Sequence, residues 1–150
     1  MKQISWFVFL AACGGGGGGT TGDDDGGGNL IRWDVDGTHY EATGAALGGV
    51  MADGFAAQGT DFDAHKIVVA VVGVTVGTFS IRTGAGDVSI LYGDARMTWQ
   101  ADGNGGSGTI VVTDLTDHEI VGTFAGDVTP RNGTGGGDRQ VTNGEFDMKF

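Results

Sequence analysis

The chain has 150 residues, room for one domain, and its 19 acidic against 8 basic side chains give a net charge of −11 at pH 7. Bases scattered singly cannot neutralise a run of phosphates, which excludes nucleic acid as a partner. They also exclude a basic patch on anionic headgroups, so any membrane attachment is covalent or apolar. A single cysteine makes no internal disulfide and no zinc or iron–sulfur cluster, and about 120 foldable residues bury enough surface to need neither.

Residues 1–12 read as a secretory signal peptide, with Lys2, an apolar stretch from Ile4 to Leu10, and then the small Ala11 and Ala12. That stretch is too short to remain in a bilayer as a spanning helix. Leu10-Ala11-Ala12-Cys13 resembles the lipobox of bacterial lipoproteins and stands at the correct end of the apolar run. The resemblance implies that Cys13 is the lipidation site. Its thiol takes a diacylglyceryl group, cleavage leaves it as the first residue, and its new amino group is acylated. Each buried methylene contributes about 0.8 kcal/mol, so one acyl chain holds marginally and two or three make a stable anchor. Gly14, where an aspartate tends to retain lipoproteins at the inner membrane, implies sorting to the outer membrane. The expected location is therefore the bacterial cell envelope.

Residues 13–28, the cysteine and then "GGGGGGTTGDDDGGG", offer no apolar side chain beyond Cys13 to offset the entropy of ordering the backbone. They read as a disordered Gly-rich tether with a mean end-to-end distance of roughly 20 Å. Asp23, Asp24 and Asp25 read as solvating charge and not as a calcium loop.

From Asn29 to Phe150 apolar residues alternate or run in short blocks interrupted by glycine, which predicts strands and no helix. "LIRWDV" puts Ile31, Trp33 and Val35 on one face, Asp36-Gly37 supplies a two-residue turn, and "THYEAT" returns. "GGVMADGFAAQG" predicts a second hairpin about Asp53-Gly54. "HKIVVAVVG" is apolar on both faces and predicts a central strand covered on each side. "VTVGTFSI", "SILYG", "ARMTWQA", "GTIVVTDL", "EIVGTFAGDV" and "GEFDMKF" follow, separated by "TGAGD", "ADGNGGSG" and "RNGTGGGD". Roughly ten short strands of this kind predict a single all-β domain over residues 29–150, an antiparallel β-sandwich or a closed β-barrel. Pro130, the only proline, is placed in a loop. "VGTF" occurs at Val76–Phe79 and Val121–Phe124, which convergent strand chemistry explains better than duplication given the unequal gaps around it.

The opening "WDVDGTHYEA" and the closing "VTNGEFDMKF" are similar to those of a group of uncharacterised bacterial lipoproteins. The similarity implies a β-rich envelope domain and transfers no activity.

Among candidate sites, Gly103, Gly105 and Gly108 match a dinucleotide fingerprint, but a strand follows where a helix is required, so the match reads as a turn. Ser107 lies in "GGSGT", which lacks the last glycine of a nucleophile elbow. His39, His65 and His118 are not spaced as metal ligands, and no metal or cofactor is expected. Asp34 with Asp36, and Asp61 with Asp63, are i, i+2 pairs that could share a strand face and chelate calcium or flank a glycosidic bond. Their place beside turns favours backbone capping. Trp33, Tyr40, Phe79, Tyr92, Trp99, Phe124 and Phe146 fall mostly on core positions; exposed on one sheet, they would form a stacking platform. The expected function is non-enzymatic: a membrane-tethered envelope domain that binds a protein or glycan partner. Its rivals are a carrier of a small apolar ligand inside a barrel and an envelope hydrolase in which Asp61 or Asp63 meets a second carboxyl or His65.

Overall fold

A computed structural model of the chain describes residues 29–150 apart from 44, 45, 52, 74, 83, 85 and 132–135. The signal segment, Cys13, the tether and Asp23 to Asp25 lie outside the described residues. The eleven strands are β1 (Leu30–Val35), β2 (Thr38–Thr43), β3 (Leu47–Met51), β4 (Gly54–Thr60), β5 (Lys66–Val72), β6 (Gly77–Ile81), β7 (Val88–Gly93), β8 (Thr98–Ala101), β9 (Ser107–Leu115), β10 (Glu119–Pro130) and β11 (Arg139–Lys149). All pairings are antiparallel. The path β2-β1-β11-β10-β8-β7-β5-β4-β3 curls into a half-barrel, with β9 pairing β10 and β6 pairing β9 off the path.

β10 makes the curl possible. Its Ile120–Asp127 stretch pairs with β9, and its last residues Thr129 and Pro130 pair with β8. One strand thereby joins a first leaf (β2, β1, β11, β10, β9, β6) to a second (β8, β7, β5, β4, β3). The leaves pack face to face, β1 and β2 against β4, and β11 against β3. Each strand buries every second residue, as Ile31, Trp33 and Val35 do in β1 and Ile67, Val69 and Val71 in β5. Trp33, Trp99, Phe55 and Phe146 fill the space between the leaves, with the Phe55 and Phe146 rings 5.5 Å apart. Among the expected core aromatics, Tyr40 and Phe79 are only partly buried and pack against this cluster.

Several details differ from the sequence expectation. In the second hairpin Gly54 is the first residue of β4, paired with Met51 of β3, and not part of the turn. Pro130 ends a strand and does not lie in a loop. It faces Trp99 at a position where Arg131 N–H donates to Thr98 O at 2.8 Å, so the ladder asks no bond of Pro130's own nitrogen. β5 is fully buried on one face, through Ile67, Val69 and Val71, and only partly buried on the other, through Val68 and Ala70.

The last strand begins at Arg139 and not at Gly144, and Asn143-Gly144 is a β-bulge inside it: pairing shifts there against both β1 and β10, and Asn143 takes φ 50°. The two VGTF segments flank β9 in one register. Gly77 and Gly122 face Val112, Thr78 and Thr123 face Val111, and Phe79 and Phe124 face Ile110.

Charge is divided between the leaves. Asp34 in β1, Glu41 in β2, Asp114 in β9, Glu119 and Asp127 in β10, and Glu145 and Asp147 in β11 all belong to the first leaf. The strands β3, β4, β5, β7 and β8 carry no acid, and Lys66 is their only charge.

Candidate functional site

Four connections meet at one end of the half-barrel: the β1–β2 turn, the β4–β5 loop, the β7–β8 loop and the β10–β11 loop. In the first, Asp36 (φ 49°) and Gly37 (φ 83°) make the turn with both residues at positive φ that suits a two-residue hairpin. The Asp36 carboxylate accepts from Gln140 N–H at 2.9 Å and from Arg139 Nη1 at 2.6 Å, and Asp36 N–H donates to Gln140 O at 3.0 Å. Arg139 then lies 5.2 Å over the Trp99 ring, whose indole N–H donates to Gly137 O at 3.0 Å.

Beneath this latch runs a line of aromatic rings. Trp33 stacks on Tyr40 at 5.7 Å, Tyr40 lies 6.3 Å from Tyr92, and Tyr92 lies 5.5 Å from Trp99. His65 packs 4.5 Å from the Tyr40 ring. Burial, then the charge and hydrogen bond of Tyr40, push the Tyr92 hydroxyl far above its ordinary pKa, so it stays protonated.

The β4–β5 loop is pinned by one side chain. Asp61 Oδ1 accepts from Asp63 N–H at 2.9 Å and His65 N–H at 2.8 Å, and its Oδ2 pairs with His65 Nδ1 at 2.9 Å. Backbone bonds from Asp61 N–H to His65 O at 3.0 Å and from Ala64 N–H to Asp61 O at 3.3 Å close the loop. The same construction recurs in the β7–β8 loop, where Asp94 Oδ1 accepts from Arg96 N–H at 2.7 Å and Met97 N–H at 2.8 Å. Phe62, at the tip of the pinned β4–β5 loop, is fully exposed at 106% of its reference surface.

The electrostatics keep two of the carboxyls here ionised at neutral pH. Gln140 N–H and then Arg139 hold the Asp36 carboxyl below the usual range. For Asp94 burial acts upward, but the two loop N–H groups together with His65 and Arg139 outweigh it, and the net shift is down. Both are ionised and have no proton to give. Asp61 makes with His65 the contact an envelope hydrolase would require, while its Oδ1 also accepts the Asp63 and His65 N–H groups.

The other sequence candidates go elsewhere. Asp34 and Asp36 do not converge: Asp34 Oδ2 accepts from Asn143 Nδ2 at 2.7 Å and Oδ1 meets His39 Nδ1 at 2.7 Å, on the outer face of the first leaf. Asn143 first and His39 second hold its pKa down. His118 sits in the β9–β10 loop, its N–H on Thr116 Oγ1 at 3.2 Å. Asp102 and Gly105 bridge in the β8–β9 turn and Gly108 lies in β9, as a turn followed by a strand requires. Among the described residues no three of His, Cys, Asp and Glu converge on one point. A shallow depression of about 340 Å³ lies over Phe124 on the outer face of the first leaf, lined by Thr109, Thr123, Asn143 and Glu145.

The sequence reading missed Phe62, Asp94 and Arg139. For Phe62 a signal was present, an aromatic residue between two acids in a loop. Arg139 gave none, because its partners Asp36 and Trp99 are remote in the chain. No family model matches the chain, and neither curated protein sequences nor solved structures give a match.

Proposed function

We propose that the chain is an envelope lipoprotein whose acylated Cys13, through the tether of residues 13–28, holds a non-enzymatic binding domain at the membrane. The domain docks a protein partner at its four-loop end. The observation that carries this reading is Phe62. Leaving a phenylalanine in water forgoes about 2–3 kcal/mol of burial, and here the ring stands on a loop already fixed by Asp61, so docking loses little loop entropy. A protein pocket suits this anchor better than a glycan does, because Trp33, Tyr92 and Trp99, the rings best fitted to stack on sugars, are buried. The carrier reading draws no support from an interior filled by Trp33, Trp99, Phe55 and Phe146. The anchor rests on Leu10-Ala11-Ala12-Cys13; among the described residues no helix is long and apolar enough to cross a membrane.

A photo-crosslinking residue placed at Phe62 in intact cells should give a discrete protein adduct, and the same residue at Asp117, in the β9–β10 loop at the far end, should not. Absence of any adduct at Phe62, or equal labelling from both positions, removes the docking reading. Separately, Cys13→Ser should release the chain from membranes while its far-UV β signature is kept; retention through a high-salt wash removes the anchor.

A further inference from the structure

The second leaf turns one face to the core; on its other face Leu47 and Val72 are exposed and Gln58, Val68, Leu91 and Gln100 are partly buried. A single registered row crosses it perpendicular to the strands: Leu47, Gln58, Val68, Leu91 and Gln100, ending at Thr129 of β10. Two residues along, the next row is Gly49, Ala56, Ala70 and Ser89. A ridge of larger side chains therefore lies beside a trough of small ones. Leu47 and Val72 are 54% and 47% exposed, and the only charge on these strands is Lys66.

We propose that this face is where two copies of the chain meet, sheet on sheet. Charge selects the occupant. Two copies of a chain with net charge −11 repel through any surface that carries their acids, and the strand acids all lie on the first leaf, outside such a contact. A basic partner would find its complement on that first leaf and nothing to pair with here. Relief points the same way: a two-fold axis parallel to the rows and midway between them sets Val68 and Leu91 of one copy over Ala70 and Ser89 of the other, the self-complementarity an isologous contact needs. The contact leaves the four-loop end free, so the dimer presents Phe62 twice and binds bivalently.

The test is sedimentation equilibrium of the full chain carrying Cys13→Ser, at about 0.15 M salt. A monomer–dimer equilibrium is expected. Val68→Asp and Leu91→Asp should each weaken it at least about tenfold, with far-UV spectrum and urea midpoint near those of the parent, while Ala125→Asp on the outer face of the first leaf should leave it unchanged. Should the aspartates unfold the domain, Gln58→Glu places the same charge on the ridge with little change of shape and is expected to weaken the dimer. A monomer at every concentration, a dimer indifferent to the ridge variants, one that Ala125→Asp disrupts equally, or a monomer that floats with neutral vesicles through this face overturns the proposal.

Discussion

Gly144 admits no side chain: a Cβ there would lie 2.5 Å from the Phe124 ring and from the Phe124 carbonyl oxygen. Gly144→Ala must push β10 away from the β11 bulge, and a loss of about 1–3 kcal/mol in urea unfolding is expected, typical of overpacking. The neighbouring Asn143 tolerates its positive φ and ties Asp34 to the bulge through its amide. Asp34, Asp36 and Asp94 share a further consequence. Each has a folded pKa below its unfolded one, so its stabilisation is complete above the ordinary carboxylate value and is lost as pH falls through the folded value. The melting temperature should hold nearly level from neutrality to about pH 5 and drop below about pH 4. In Asp36→Asn that acid drop should be shallower, and a drop of unchanged steepness would show that the latch to Arg139 and Gln140 contributes little.

At the scale of the element, the β4–β5 loop shows how one carboxylate makes an exposed segment rigid. Asp61→Ala removes the acceptor of two backbone N–H groups and of the His65 ring, with an expected loss of about 1–3 kcal/mol. The more specific readout is local. Amide exchange at Asp63 and His65 should accelerate far more than at Val69 in the core of β5, and chymotrypsin should cut after Phe62 faster than in the parent chain. If exchange at Asp63 and His65 accelerates no more than at Val69, the loop owes its shape to something other than Asp61. β9 makes a related point about pattern. Its two neighbours repeat Gly-Thr-Phe in one register because each must place a phenylalanine inward beside Ile110 and a threonine outward beside Val111. The repeated letters need no duplication, only a shared neighbour.

Across the whole molecule the uneven charge sets the response to salt. The acids of the first leaf stand on a continuous sheet with Arg32, Arg139 and Lys149 as the strand bases among them, so repulsion persists in the folded state. Raising NaCl from about 0.01 M to about 1 M shortens the screening length from about 30 Å to about 3 Å. The melting temperature should rise over that range, the gain from relieved repulsion exceeding the loss at exposed ion pairs such as Arg32 with Glu145. A fall would mean that the ion pairs dominate.

What the sequence determined by itself is what depends on near neighbours in the chain. Alternation in "LIRWDV" and "KIVVAVV" sets strands with defined faces, Asp36-Gly37 sets a hairpin, and glycine runs set the joints, because side-chain period and turn dihedrals are properties of a few consecutive residues. The lipobox resemblance at Cys13 is of the same local kind. Only the tertiary structure decided that the sheet curls through β10 into a half-barrel, since the two pairings of that strand come from different distances along the chain. It also decided that Asp34 and Asp36 turn to separate partners, that Asn143-Gly144 is a bulge, and that Arg139 closes over Trp99. Each of these depends on a contact across roughly forty to more than a hundred residues, for which local pattern carries no information. The second leaf, whose strands carry no acid, belongs to both levels: its strands could be read from the sequence, but that they lie side by side and share one outer face could not.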